Sequence, residues 1–184
     1  MKKAFLLASV LFISVISTAC INNFAVQELN NNAKAFMEKG DYTSAIERLK
    51  SSIDLDNSIF ETHYNLAVAY TNAEDYPNAI ATYNKAIELN PDFADAYYSL
   101  AVCQQNLAKD IISGDIEVLE DGIFQKQDLS KNVKLSDISK KNIVLLLEAS
   151  VSNYELYLQK DESDKEDVQE EIDEINELLK EYVK

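Results

Sequence analysis

The strongest constraint on the fold is a pattern in Phe60–Phe93 that recurs with a period of about 34 residues. Leu66-Ala67 and Tyr70 fall three or four residues apart, which places them on one stripe of a helix. Ala79 and Tyr83 form a similar stripe on a second helix. Asn90-Pro91 ends that helix, because proline disfavours helical backbone at the residue before it. The stretch therefore predicts two short helices with facing apolar stripes.

The segments on either side are predicted to be imperfect copies of this unit. A shift by one period towards the N-terminus aligns Val26–Ile59, with matches that include Leu29, Ala33, Phe36, Ala45 and Leu49. A shift by one period the other way aligns Ala94–Ala108, which matches a first helix only. A single unit cannot bury its apolar face alone, so stacked neighbours share one continuous core. An unrelated helical bundle is the alternative, but a bundle does not require a fixed period.

The order of residue types resembles the tetratricopeptide repeat, which has a large residue, a Leu-small pair, an aromatic, an alanine, an aromatic and a proline at fixed offsets. Those places hold His63, Leu66-Ala67, Tyr70, Ala79, Tyr83 and Pro91. The resemblance implies an all-α, helix-turn-helix solenoid of about three repeats, the third with an insertion, closed by a C-terminal capping helix.

The predicted organisation is a signal peptide over 1–19, a tether over 20–25, two repeats over 26–93, a third helical hairpin over 94–159 and the capping helix over 163–183. The insertion lies at about 113–136, where helical periodicity is lost. Asp121-Gly122 is a strong turn signal, so a small β-hairpin is one interpretation and a disordered loop is the other. Ser136 is predicted to cap the next helix, and Ser163–Glu166 has the form of a capping box.

The N-terminus has the pattern of a secretory signal peptide. Lys2 and Lys3 precede the apolar run Ala4–Ile16 and the small residues Ser17-Thr18-Ala19. Cys20 follows at once, and this end resembles the lipobox of bacterial lipoproteins, although Ser17 stands where that motif usually has leucine. The alternatives are an ordinary signal peptide and an uncleaved anchor, although the apolar run is short for a membrane span of about 20 residues. We therefore expect a protein of the bacterial cell envelope, lipid-anchored through Cys20 and facing the periplasm or the exterior.

Charge and composition exclude several classes of function. The chain has 32 acidic and 17 basic residues, a net charge of −15, which does not suit nucleic acid or an anionic lipid surface. A solvated acidic surface is the simpler interpretation of this charge, and a basic partner is the sharper one. With one histidine and two cysteines, the sequence predicts no metal site and no disulfide, and Cys103 is predicted to be a small buried residue. No Ser–His–Asp grouping or glycine-rich phosphate loop is present, so neither an enzyme nor a cofactor is expected.

The resemblance implies a protein-binding role. In the family, the first helices of the repeats line a concave groove that binds an extended peptide or a partner helix. Mapped onto this sequence, the candidate groove residues are Asn30, Lys34, Tyr64, Asn65, Val68, Tyr98 and Val102. Tyr64 and Tyr98 are not needed for the apolar stripe, so one interpretation makes them contact residues and the other has them pack on a neighbouring helix. The expected function is a scaffold or assembly adaptor for a protein or peptide partner.

The family also has a chaperone-binding version, in which lysine, arginine and asparagine clamp a C-terminal carboxylate. Lys34 and Asn65 match fragments of that clamp. Asp95 and Ser99 stand where it requires basic residues, and Asp95 would repel a carboxylate. We do not expect this version here.

Two other functions remain open from the sequence. A small-molecule or lipid-binding accessory of an envelope transport system would need an open cavity lined by residues such as Phe93, Ile111 and Ile112. A purely structural role would use the inserted tip Asp115–Leu135 to pack against another envelope protein.

Overall fold

The computed structural model describes residues 22–119, 122–126 and 135–183. These ranges contain seven helices and one two-stranded hairpin. Their bounds, in chain order, are α1 22–37, α2 Tyr42–Leu55, α3 Phe60–Asn72, α4 Tyr76–Leu89, α5 Ala94–Ser113, β1 Ile116–Val118, β2 Phe124–Lys126, α6 Asp137–Leu158 and α7 Lys165–Tyr182. From α2 to α7 each helix packs on the next one in the chain. The helices form the all-α solenoid that the repeat pattern predicts.

The predicted signal peptide and Cys20 lie outside the described residues. Residues 22–25 were predicted to belong to a tether, but they are helical and form the first turn of α1. Within the described ranges, no helix combines the length and the apolar character needed to cross a membrane.

Local side-chain chemistry sets several of the helix ends. The Asp41 carboxylate caps α2 by accepting a hydrogen bond from the Ser44 amide at 3.1 Å. Pro77 lies in the first turn of α4, where its missing N–H costs little. Asp75 occupies the N-cap position of α4, but its carboxylate accepts from the Asn78 side chain instead of a backbone amide. Ser136 caps α6 as predicted, by accepting from the Ser139 amide at 3.0 Å.

Small, buried residues recur at equivalent positions of the repeats. Ala33, Ala67 and Ala101 stand at one repeat position of successive first helices, and each is at most 1% exposed. On the second helices the corresponding small residues include Ala79 and Ser150, which are also fully buried. The Ser150 hydroxyl donates to the Ala101 carbonyl oxygen at 2.8 Å, so α6 and α5 are joined by a buried hydrogen bond as well as by close packing.

The described part of the insertion forms a β-hairpin, which is one of the two interpretations of its sequence. Strand β1 pairs antiparallel with β2, with Val118 opposite Phe124. Ile116 and Val118 are buried, and β1 packs on α5 and α6. Lys126 pairs with Glu74 at 3.2 Å, which links the hairpin to the turn between α3 and α4. The rest of the insertion, residues 120–121 and 127–134, lies outside the described residues.

Helix α7 does not begin with the predicted capping box. It starts at Lys165, after Asp164, and the amide of Ser163 donates instead to the Asp161 carboxylate at 2.8 Å. The Asp164 carboxylate accepts from the Tyr157 hydroxyl at 3.2 Å, so it ties the turn to α6 and leaves the first amides of α7 uncapped by side chains.

Candidate partner-binding surface

The first helices α3 and α5 lie side by side. The hydroxyl oxygens of Tyr64 and Ser99 are 3.1 Å apart, although the residues are separated by 35 positions in the chain. The Tyr64 ring also meets Phe93 edge-on, with ring centroids 4.9 Å apart, and it lies 5.8 Å from Tyr83. Tyr64 is therefore mainly a packing residue, as the second interpretation of the sequence proposes.

Tyr98 is both a packing residue and a candidate contact residue. Its ring centroid lies 5.6 Å from that of Tyr154 and 5.3 Å from that of Tyr157, so it packs across to α6. It is nevertheless 39% exposed, and its exposed edge remains open to a partner.

The two candidate groove residues on α1, Asn30 and Lys34, differ in how far their side chains are engaged in contacts within the fold. The amide nitrogen of Asn30 lies 2.9 Å from the Val26 carbonyl oxygen and 2.8 Å from the Ser52 hydroxyl. Asn30 thus joins α1 to α2, so its amide is already used within the fold. Lys34 is exposed.

Asn65, Val68 and Val102 form a row that we call the inner strip. All three are half-buried, and Val68 and Val102 stand at the same repeat position of neighbouring first helices. Both valines pack partly against the core and keep a face towards solvent. In the described part of the chain, the Asn65 side-chain amide has no hydrogen-bond partner that would occupy it, so it can bond a peptide backbone. An amide beside two apolar side chains is suited to an extended polypeptide.

Three sequence models of one family match this part of the chain. The model described as Tetratricopeptide repeat matches residues 60–93, a second of that description matches 82–112, and one described as TPR repeat matches 33–73. The chain contains tetratricopeptide repeats. Among curated proteins, no sequence match reaches significance.

Solved structures of tetratricopeptide repeat (TPR) domains share the fold. The first TPR of Spaghetti (RPAP3), bound to the HSP90 peptide SRMEEVD, is 19% identical with a TM-score of 0.60, over 84% of this chain and 92% of that one. The second TPR domain of human RPAP3, in complex with the HSP70 peptide SGPTIEEVD, is 17% identical with a TM-score of 0.60, over 84% and 98%. The TPR2B domain of yeast Sti1, in a complex with pHsp70, is 17% identical with a TM-score of 0.55, over 84% and 98%. At these identities the likeness shows the fold alone.

Helix α7 continues the TPR register, which the sequence pattern did not predict. The step along the chain from Tyr154 to Val168 equals the step from Tyr83 to Tyr97. In each of these pairs, a buried residue of a second helix precedes a buried residue of the next first helix. The spacing was readable, but α7 lacks the Leu-small pair and the aromatics that mark the other repeats.

Contacts agree with this register. Helix α7 packs on α6, and the Gln105 side-chain amide on α5 donates to the Glu171 carboxylate at 3.0 Å. Helix α7 thus packs on α6 as α5 packs on α4, and it reaches α5 through Gln105 and Glu171. It occupies the position that the first helix of a following repeat would take.

The buried Cys103 and His63 side chains are packing residues. The Cys103 thiol is fully buried 3.8 Å from the Tyr76 carbonyl oxygen, and burial raises its pKa to about 12, so it is not an activated nucleophile. The His63 ring is buried, with Nε2 3.0 Å from the Asn57 carbonyl oxygen. Over the described ranges, no group of three His, Cys, Asp or Glu side chains is arranged to ligate a metal ion.

The residues proposed to line a small-molecule cavity are each packed within the fold. Ile111 is fully buried in the core, and Ile112 packs partly against it. The Phe93 ring lies 5.1 Å from that of Phe60, in an edge-on arrangement. All three side chains are therefore engaged in packing.

Proposed function

We propose that this TPR protein binds a partner polypeptide along the inner strip and acts as a scaffold or assembly adaptor, without catalysis. The observation that carries the proposal is the row of half-exposed Asn65, Val68 and Val102 on the stacked first helices. The similar TPR domains solved with HSP90 or HSP70 peptides support it, because a peptide is bound there by the same architecture.

The chemistry of the strip fits a backbone-directed contact. The Asn65 amide offers both a donor and an acceptor, which match the N–H and C=O groups of an extended chain. The two valines and the exposed edge of Tyr98 offer apolar contact at small cost in conformational entropy. Such a surface recognises mainly the extended backbone of a partner segment, and the side chains of that segment contribute less.

We further propose that the protein works at the bacterial cell envelope, exported and held to a membrane by lipid on Cys20. The support is the order of Lys2-Lys3, the apolar run, Ser17-Thr18-Ala19 and Cys20 in the sequence. Several acyl chains on one cysteine would give stable attachment, whereas one chain binds membranes only weakly.

The other functions receive less support. A lipid or small-molecule carrier would need a cavity lined by residues such as Phe93 and Ile111, but Phe93 packs on Phe60 and Ile111 is buried in the core. A role for the hairpin tip alone would leave the inner strip without a purpose.

The decisive experiment is site-specific crosslinking in cells, comparing Asn65→Arg with Asn84→Arg. The first variant puts a long charged side chain into the strip, and the second makes the same change on the exposed face of α4. The expected result is loss of the crosslinked partner with Asn65→Arg and retention with Asn84→Arg, both with unchanged helical circular dichroism. Equal capture by the two variants would show that the strip is not the binding surface. Alanine at Tyr64 is a poorer test because it would remove core packing.

A further inference from the structure

Helix α7 extends the inner face by one more first helix. One constant shift along the chain carries the repeat positions of α3 onto the buried positions of α7, from His63, Ala67 and Tyr70 to Val168, Ile172 and Ile175. The same shift carries the positions of Asn65 and Val68 onto Glu170 and Asp173. The residues that continue the inner strip on α7 are therefore carboxylates.

These carboxylates are exposed and not neutralised. Glu166, Glu170 and Asp173 are exposed, and no lysine or arginine of the described residues lies within ion-pair distance of them. The neighbouring lysines are used elsewhere, since Lys165 pairs with Glu162 and Lys180 with Glu177. Asp173 accepts a hydrogen bond from the uncharged Gln169 side chain at 3.1 Å.

The charge of the inner face changes along the solenoid. Lys34 lies at the α1 end, and the exposed Asp95 opens α5. At the α7 end three carboxylates follow on one helix face. Adjacent like charges on one surface create a potential that attracts cationic segments and repels anionic ones.

Building on the proposed function, we infer that the partner segment is a basic, extended polypeptide. Its lysine or arginine side chains would meet Glu166, Glu170 and Asp173, while its backbone and apolar side chains lie against Asn65, Val68 and Val102. This preference is opposite to that of the similar TPR domains, whose peptides SRMEEVD and SGPTIEEVD carry several acidic residues. The carboxylates supply specificity and a fast encounter, and the strip supplies the contact area.

The test uses the full chain and two synthetic peptides, one of alternating lysine and serine and one of alternating glutamate and serine. Binding is measured by fluorescence anisotropy at low salt and at physiological salt. The triple variant Glu166→Gln, Glu170→Gln, Asp173→Asn removes the inner carboxylates. A matched control, Glu47→Gln, Glu148→Gln, Glu155→Gln, makes the same change in net charge at positions of α2 and α6 away from the inner carboxylates.

The lysine peptide is expected to bind and the glutamate peptide not to bind. The inner triple variant is expected to lower affinity for the lysine peptide by about tenfold, since each exposed charge contact contributes modestly, and the control variant by less than about twofold. Equal loss in both triple variants would show attraction to the net charge only and would overturn the inference. So would preference for the glutamate peptide.

The outcome for the proposed function is separate. If the inner triple variant still captures its crosslinked partner in cells while Asn65→Arg does not, the strip binds the partner and the assignment of a basic segment is wrong. If neither variant affects capture, the binding surface itself is misplaced.

Discussion

Glu74 occupies the same left-handed turn position in the second repeat that Gly40 occupies in the first. The two residues are one repeat length apart, and their φ angles are 57° and 74°. Each follows the first helix of its repeat, where the chain must reverse to begin the second. Glycine adopts this backbone freely, whereas a residue with a side chain is strained there by about 1–2 kcal/mol.

Replacing Glu74 by glycine is therefore expected to raise the free energy of unfolding, by up to about 1 kcal/mol after the entropy of the unfolded glycine is subtracted. The lost ion pair with Lys126 is exposed on both sides and contributes little. Gly40→Ala is expected to lower stability by about 1 kcal/mol through backbone strain. A steric clash does not contribute, because an added Cβ would meet no atom within 4 Å. Urea denaturation measures both, with Glu74→Gln as the control that removes the ion pair alone. A Glu74→Gly protein less stable than Glu74→Gln would contradict the argument.

The repeat period was enough to predict the helices from α2 to α5, because Ala, Leu and Tyr recur at positions that only stacked helices can bury together. The hairpin in the insertion was predictable from Asp121-Gly122 as one of two outcomes. Its docking on α5 and α6 was not, because burial of Ile116 and Val118 depends on tertiary contacts that leave no periodic signal.

The candidate binding surface was predictable only by position. Asn30 and Asn65 have the same residue type, yet Asn30 bonds Ser52 on α2 while Asn65 stays available. The sequence pattern does not distinguish an asparagine that bonds within the fold from one that stays available. Tyr98 likewise packs on α6 with part of its ring and exposes the rest to solvent. Helix α7 was predicted as a cap, and its place in the repeat register rests on the spacing of buried residues and not on residue type.

The contact between Tyr64 and Ser99 gives a measure of how strongly adjacent repeats are coupled. Tyr64→Phe and Ser99→Ala each remove one side of the 3.1 Å hydrogen bond. Each is expected to lower the free energy of unfolding by about 1 kcal/mol, and the double variant by little more than either alone, because both remove the same bond. A double-mutant cycle in urea checks this. Fully additive losses would show that the bond contributes nothing between the repeats.

Ser150 tests the close packing of α6 on α5. Ser150→Ala removes the buried bond to the Ala101 carbonyl and is expected to lower stability by about 1 kcal/mol. Ser150→Leu must push the two helices apart and is expected to lower it by about 3 kcal/mol. The matched control is Ser152→Leu, at an exposed position of the same helix, with an expected change within about 0.5 kcal/mol. Similar losses for the two leucine variants would mean that the helix interface is looser than described.

Alkaline pH is expected to destabilise the fold through buried acids. Burial raises the pKa of the Cys103 thiol from its ordinary 9.0 to about 12, and it raises the pKa of the Tyr83 hydroxyl well above 10.0. Both groups stay protonated in the folded chain while the unfolded chain loses their protons. Their stabilising contribution is thus complete below about pH 9 and falls as pH rises towards the folded pKa values.

Above its ordinary pKa, each group is expected to lower the free energy of unfolding by about 1.4 kcal/mol per pH unit. Cys103→Ala should flatten this dependence from about pH 9, and Tyr83→Phe from about pH 10. Urea midpoints across the alkaline range measure it. An unchanged slope in Cys103→Ala would show that this thiol ionises in the folded state.

Lipidation at Cys20 separates the proposed anchor from the two other interpretations of the N-terminus. In a bacterial host fed an alkyne-tagged fatty acid, the parent chain is expected to label and to sediment with membranes, because the acyl chains hold it there. Cys20→Ser should lose both the label and most of the membrane association. Cys103→Ala, which changes the buried thiol, should keep both. A Cys20→Ser chain that stays in the membrane fraction without label would indicate an uncleaved apolar anchor, and an unlabelled, released parent chain would indicate an ordinary cleaved signal peptide.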